Sequence, residues 1–226
     1  MADAYDENLQ LNVHGVYPFD VGGVQYIRDF SAYARTGTPI AFGGADAEYA
    51  DLIGHGQMVN IATPQLILHG AFLNYTVHNF TFEMAFNPTT IANDPFLFWK
   101  GDINVAGYSI QVMANGRVQL NTNQAAATQA SDSAVGDVVV GQWTHIIVSR
   151  IGATAYFYRN GVPSVPSTVG VHISPASSDL DFNMGSGLPT VVGNDLSASV
   201  SRYRSWSRGM GAAEAAEKYS EWAMGR

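Results

Sequence analysis

Hydrolysis of a glycosidic bond with retention takes two carboxyl groups about 5 to 5.5 Å apart. A β-strand supplies them when acidic residues recur at i, i+2 and i+4 along one face. The chain has six Glu and thirteen Asp, yet none forms such a series. The nearest pattern, Asp179-Leu180-Asp181, contains no Glu and sits in a Ser-, Pro- and Asn-rich stretch that reads as a solvated turn. His14, His55, His69, His78, His145 and His172 are scattered, with no ligand spacing such as H-x-H or H-E-x-x-H. His145 reads as a structural residue of a strand. No G-x-S-x-G elbow or phosphate-cradling loop is present. The absence of Cys removes thiolate nucleophiles, zinc-thiolate sites and disulfides together. No catalytic residue is expected, and the chain reads as a non-enzyme.

Binding chemistry is better supplied. A sugar needs an aromatic ring against its apolar face and amide or carboxylate oxygens for its hydroxyls, and Trp99, Tyr203 and Trp206 are the candidate rings. Alternation places Arg202, Arg204 and Trp206 on one face of a strand, a face that a helix or another chain would equally cover. The formal net charge of -8, with 13% charged residues, argues against a partner whose affinity comes from neutralised phosphates, so no nucleic acid is expected. No apolar run approaches the roughly 20 residues of a membrane helix, so no membrane is expected either. The opening MADAYDENLQLN lacks the basic and apolar regions of a secretory leader, which predicts cytoplasmic synthesis. Charge is uneven: eight acidic residues stand against Arg28 and Arg35 in the first 60 positions, while Arg202, Arg204 and Arg208 cluster near the end. Two readings follow. Either the first and last strands pair within the chain, or Asp3, Asp6 and Glu7 meet Arg202 and Arg204 of a neighbouring copy.

The elements that must carry these residues are mostly strands. Period-2 stretches separated by Gly, Asn, Asp and Pro read as all-β. In YSIQVMANGRVQL (108–120) and WTHIIVSRIGATAYFYRNGV (143–162), Asn115-Gly116 and Asn160-Gly161 predict two-residue hairpin turns, with Gly152 at a third turn. Further strands are predicted at 80–86, 96–100, 189–193 and 199–206, with shorter ones near 26–29, 39–42 and 59–61. Trp143, beside the β-branched Ile146, Ile147 and Val148, is expected in the core between sheets. Only AAEAAEKYSEWAM (212–224) has the formers and spacing of a helix, with Ala213, Ala216, Tyr219 and Trp222 as its apolar recurrence. Many strands and one C-terminal helix, without alternation of the two, leave a sandwich or a barrel. Residues 1–16, with Leu9, Leu11 and Val13 alternating, read as an N-terminal arm or edge strand before one domain at 17–226.

The order FTFEMAF, FLFWKGD, GYSIQVMANGRVQL, VGQWTHIIVSRIGATAYFYRNGV, PTVVGND, SRYRSWSRGMGAAEAAEKY resembles the laminin G-like, concanavalin A-like lectin/glucanase jelly-roll superfamily, of the kind found in phage structural proteins. The likeness centres on Gln142-Trp143-Thr144-His145, on Tyr158 to Gly161, and on Arg208-Gly209-Met210-Gly211 with Glu214. Asp29-Phe30-Ser31 with Gly37-Thr38 is similar to an early segment of that family, although Ala32 stands where Gly is usual. It extends over roughly residues 17 to 224 and implies a two-sheet antiparallel jelly-roll sandwich. The glucanases of that superfamily use an E-x-D-x-E-like strand, which this chain lacks. Many laminin G-like domains hold calcium in a rim loop, and Asp102, Asn104 and Asp195 are the oxygen ligands on offer; otherwise no cofactor is expected.

The sequence therefore predicts a non-catalytic structural or surface component of a large assembly, a phage virion protein placed as capsid decoration or tail component. Its partners would be other virion proteins and copies of itself. The grounds are a neutral-polar surface with only two Lys, no signal segment and no catalytic constellation. The alternative is a carbohydrate-binding module or adhesin that recognises host glycans.

Overall fold

The computed structural model describes residues 9–225 apart from 15–18, 22–23, 29–35, 40–47, 53–54, 62–65, 69–72, 78, 166–169 and 186–193, with side chains described from Leu73 onward. Its strands are β1 (Leu9–His14), β2 (Phe19–Val21), β3 (Val24–Arg28), β4 (Thr36–Pro39), β5 (Glu48–Leu52), β6 (His55–Ile61), β7 (Leu66–Leu68), β8 (Phe80–Thr90), β9 (Phe96–Asp102), β10 (Ala106–Val112), β11 (Val118–Gln124), β12 (Ala127–Asp132), β13 (Thr144–Ile151), β14 (Thr154–Arg159), β15 (Val162–Ser164), β16 (Phe182–Met184) and β17 (Ser197–Trp206), followed by the helix α1 (Ala212–Ala223). The first sheet runs β15-β14-β13-β8-β17-β6-β5, and β1 also pairs with β17; the second runs β12-β11-β10-β9-β16-β7-β4-β3-β2. Together they form the antiparallel jelly-roll sandwich.

Strand β8 shows why the sheets pack. Phe80, Phe82, Met84 and Phe86 alternate onto one face and join the inter-sheet core, where Phe82 lies 4.7 Å from Phe98 and 5.3 Å from Tyr108 between ring centres. Each such buried side chain contributes about 1.5–3 kcal/mol. The alternate residues Thr81, Glu83 and Ala85 are just as buried, because α1 roofs the outer face of this sheet. There Trp206, Met210, Ile147, Tyr158 and Ala215 make a second, smaller apolar cluster.

Turn chemistry departs from expectation at one place. Asn160 and Gly161 both have positive φ (49° and 75°), the requirement of a two-residue type I′ turn, and Arg159 pairs directly with Val162. At Asn115-Gly116 only Gly116 is left-handed (φ 78°); Gly116 N–H donates to Met113 O at 2.8 Å and Met113 N–H to Arg117 O at 2.8 Å. That is a three-residue loop closed by a glycine bulge, not the predicted two-residue turn. A Cβ on Gly116 would stand 2.4 Å from the Val138 carbonyl oxygen, so close backbone approach also selects glycine here. Gly152 (φ 60°) opens a two-residue turn between β13 and β14, whose ends pair at Ile151 and Thr154.

The predicted strands at 80–86, 96–100 and 199–206 are present, and those near 26–29, 39–42 and 59–61 fall on or beside β3, β4 and β6. The one at 189–193 lies outside the described residues. Trp143 is not in the core. It precedes β13 at intermediate exposure and packs on Trp222 of the helix, ring centres 6.2 Å apart. The buried side of α1 is Ala215, Lys218 and Trp222, whereas the predicted Ala213 and Ala216 face solvent and Tyr219 is half-buried. The reason is electrostatic: Lys218 belongs to an ion-paired seam and can be buried despite its charge.

Candidate functional site

The two sheets present opposite outer faces, and their chemistry differs. On the first, β8, β13 and β17 bring Glu83, His145, Arg202 and Arg204 beneath α1. Direct pairing sets Glu83 opposite Arg204 and Ala85 opposite both His145 and Arg202. The Glu83 carboxylate lies 2.6 Å from Arg204 Nε, accepts from Arg204 Nη2 at 3.0 Å, contacts His145 Nε2 at 2.7 Å and stands 3.6 Å from Arg202 Nη1. Arg204 also reaches Glu221 of α1 at 3.4 Å, Lys218 bonds Glu221 at 3.1 Å, and the guanidinium lies over the Trp206 ring at 5.3 Å. Burial pulls the Arg204 guanidinium down to about 10, against the pull of Glu221. Burial pushes the Glu221 carboxyl up, but the bonds and charges of Lys218 and Arg204 outweigh it and leave Glu221 below its ordinary range. His145 stacks on Trp222 at 5.6 Å, and Trp222 Nε1 donates to Ser201 Oγ at 2.8 Å. Glu83 and Glu221 flank Arg204, yet the guanidinium stands between them and Glu83 is sealed from solvent. This arrangement anchors the helix to the sheet.

On the second outer face the described residues of β10 and β11 are uncharged. In β10 and β11 the even-numbered Tyr108, Ile110, Val112, Val118 and Leu120 enter the core, so Ser109, Gln111, Gln119 and Asn121 face outward. Register aligns Gln111 with Gln119 and Asp132, and Trp99 with Ser109, Asn121 and Ala130. Gln111 Nε2 donates to Gln119 Oε1 at 2.9 Å, Gln119 Nε2 to Asp132 Oδ1 at 2.7 Å, and Asn121 Nδ2 to Ser109 Oγ and Gln119 Oε1 at 3.2 Å each. Arg117 closes the row on Asp132 at 3.5 Å. The amides form a ladder across β10, β11 and β12, each at intermediate exposure. Among the described residues Gln111 Oε1 and Asn121 Oδ1 take no partner; Asn121 Nδ2 spends both hydrogens within the row, Gln111 Nε2 gives its second to Met113 Sδ at 3.1 Å, and Gln119 Nε2 keeps one. Such a ladder can bind hydroxyls with little ordering cost, because its members already fix one another's rotamers.

The ladder was missed in the sequence. Its signal is the polar half of V-Q-L-N-T-N, amides where an ordinary solvent face would carry charges. The rings chosen instead are buried: Trp99, Tyr203 and Trp206 are 1%, 5% and 0% exposed. Trp99 gives its Nε1–H to Gly101 O at 2.7 Å and packs on Phe96; Tyr203 lies edge-on to Phe98 in the core; Trp206 lies under α1. None presents a face to a sugar. Arg202 and Arg204 are likewise turned inward onto Glu83 and are not surface contacts for another copy, while Asp3, Asp6 and Glu7 lie outside the described residues. The backbone of β1 pairs with β17, from Leu9 opposite Trp206 to His14 opposite Arg202, which places the N-terminal strand beside the arginine-rich one within a single chain.

The calcium candidates do not converge. Asp102 and Asn104 flank the β9–β10 turn, where Asn104 Oδ1 accepts from Thr128 Oγ1 at 2.8 Å. Asp195 lies at the other end of β10, its carbonyl accepting from Asn93 Nδ2 at 3.2 Å, next to Asp94, whose Oδ1 accepts from Ala114 N–H. Among the described residues no three His, Asp or Glu gather as a metal site. Asp179 and Asp181 are not a free turn: both charges face the buried Lys100 ammonium, which burial lowers to about 8 against their pull. Glu214 sits in the first turn of α1, as expected, and accepts from Arg208 Nη1 at 2.8 Å.

The family model of the concanavalin A-like lectin/glucanases superfamily matches residues 61–216, more than half of the chain. The chain belongs to this superfamily. No curated protein matches it. Among solved structures, this member of the superfamily is similar to the binding domain of Paraclostridial Mosquitocidal Protein 1, with TM-score 0.68 and 10% identity over 96% of this chain and 52% of that one. It is also similar to botulinum neurotoxin type C, whose cell entry is dependent upon interaction with two ganglioside molecules (TM-score 0.65, 12% identity, 98% and 53% covered). A third is Trypanosoma rangeli sialidase in complex with a difluoro-nononic acid (TM-score 0.65, 13% identity, 98% and 34% covered). The chain thus spans about half the length of the toxin chains and a third of the sialidase. At these identities the likeness establishes the fold.

Proposed function

We infer that this chain is a non-catalytic binding module that recognises carbohydrate, and that the amide ladder Gln111–Gln119–Asn121, backed by the buried Ser109 and Asp132, is its contact surface. The observation that carries the reading is a solvent-facing row of interlocked amides on the open face of a lectin-type sandwich. Structural neighbours that are toxin binding domains support a binding role over catalysis. So do the carboxylates: Glu83, Glu214, Glu221 and Asp132 are all committed to ion pairs. The same module would serve on a virion surface, but no observation in the fold favours that setting, and glycan recognition becomes the leading reading.

The test is affinity electrophoresis through gels containing a range of polysaccharides, comparing the parent with a Gln119→Ala/Asn121→Ala double variant. Two lost hydrogen-bonding groups at about 0.5–1.5 kcal/mol each predict roughly 10- to 100-fold weaker retention. Equal retention of both proteins, or retention of neither on any polysaccharide, overturns the reading. Two of the neighbours are associated with acidic ligands, a ganglioside and a nononic acid, so the charge of the glycan is the next question.

A further inference from the structure

We propose, resting on the carbohydrate reading above, that the ladder takes an uncharged glycan and discriminates against sialylated, uronate-bearing or sulfated ones. The argument is the disposition of cations. Among the described residues Lys100, Arg150, Arg202, Arg204 and Lys218 are buried. Arg208 is held by Glu214, and Arg159 lies half-buried on β14 of the opposite sheet. Only Arg117 reaches the ladder, and Asp132 already holds it. The row's unpartnered atoms are the acceptors Gln111 Oε1 and Asn121 Oδ1 and one Gln119 amide hydrogen, and beneath them lies the negative Asp132 carboxylate, 12% exposed, which takes the other. Acceptors of this kind receive the O–H hydrogens of neutral sugars. An added carboxylate or sulfate would meet Asp132 and find no unpaired guanidinium or ammonium to compensate its desolvation. The net charge of -8 adds a repulsive background of the same sign. Neutral sugar hydroxyls suffer neither cost.

The experiment is a glycan array of matched pairs, each a neutral oligosaccharide beside its sialylated, uronate or sulfated counterpart, read at about 0.15 M salt with the full chain. The neutral member of each bound pair should bind more tightly. Asp132→Asn should then release Arg117 and shift the acidic-to-neutral ratio upward by about two- to fivefold, the worth of one exposed charge pair. Circular dichroism of Asp132→Asn confirms that the sandwich is intact before the ratio is read. If acidic members bind as well as or better than neutral ones, this inference falls while the carbohydrate reading stands. A ratio unmoved by Asp132→Asn also overturns it, since the pairing would then not set the preference. If nothing on the array binds, the carbohydrate reading itself falls and takes this inference with it.

Discussion

The outer faces of the two sheets are built from the same alternation and put to opposite uses. Outward residues of β8, β13 and β17 include the charged and aromatic Glu83, His145, Arg202, Arg204 and Trp206, and under α1 Glu83, His145 and Arg204 are at most 1% exposed. On β10 and β11 the outward amides Gln111, Gln119 and Asn121 stay half-exposed, with the buried Ser109 and Asp132 as their partners beneath. A charge can be buried only with a partner, so the first face needs its roof and every member of its network at once. An amide row bonds within itself and tolerates water equally well, so the second face can remain open for a ligand. Stability is concentrated on one side of the sandwich and binding on the other.

Glu83→Ala is the most severe way to break this contrast. It leaves Arg202, Arg204 and His145 facing an empty, dry position, and losing one member of a buried ion pair costs about 3–5 kcal/mol. Thermal unfolding should drop by about 10 °C or more. An unchanged midpoint would mean that the roofed face does not depend on its ion pairs.

A smaller effect separates the closed interior from the open ladder by pH. His172 lies between β15 and β16, with Nδ1 2.9 Å from Thr122 Oγ1 and Nε2 2.9 Å from Ser131 Oγ. Burial, and then the Arg150 charge, lower its imidazole to about 4. The unfolded chain, with an ordinary His near 6.5, binds the proton more readily than the fold does. Stability is therefore complete above about pH 6.5 and falls as pH drops toward 4, by up to about 2–3 kcal/mol. His172→Gln should flatten that part of the denaturant-midpoint profile. His172→Gln should leave glycan affinity equal to that of the parent at every pH at which both proteins are folded. A pH profile that is the same in His172→Gln and parent would refute the assignment to this residue.

Trp143→Ala and Trp206→Ala sharpen the comparison within the roofed face. Trp206 is fully enclosed, and its loss should cost about 3–5 kcal/mol. Trp143 only leans on Trp222 at the margin, and its loss should cost about 1 kcal/mol. Urea titration distinguishes them, and equal costs would restore Trp143 to the core.

These outcomes bear on how far the sequence can be read. Strands with large apolar residues at period 2, such as FTFEMAF and FLFWK, are legible because hydrophobicity decides them. β12 (ATQASD) and β16 (FNM) are not: one carries no large apolar residue and the other is too short for a period, so only their neighbours in the sheet hold them. Trp143 misleads because a Trp beside a β-branched run resembles a core position, while the alternation actually begins at Thr144. The buried side of α1 misleads because Lys218 counts as polar until Glu221 and the arginine strand beneath it are known. That Arg202, Arg204 and Trp206 share a face was visible in the spacing; that Glu83, a carboxylate 121 residues before Arg204, neutralises the arginines was not.

The smallest predicted effect is also the one on which the contrast turns. The Gln119→Ala/Asn121→Ala variant removes two half-exposed amides whose bonds run to one another and to Ser109 and Asp132. Water can replace each lost partner, because the row is open, so the stability cost should stay within about 1 kcal/mol, or roughly 2–4 °C in unfolding midpoint for a domain of this size. Glycan affinity should fall by far more. A face whose removal hardly disturbs folding but abolishes binding is a ligand surface; if the midpoint instead drops as it does for Glu83→Ala, the amides are part of the scaffold, and the division between a stabilising face and a binding face is lost.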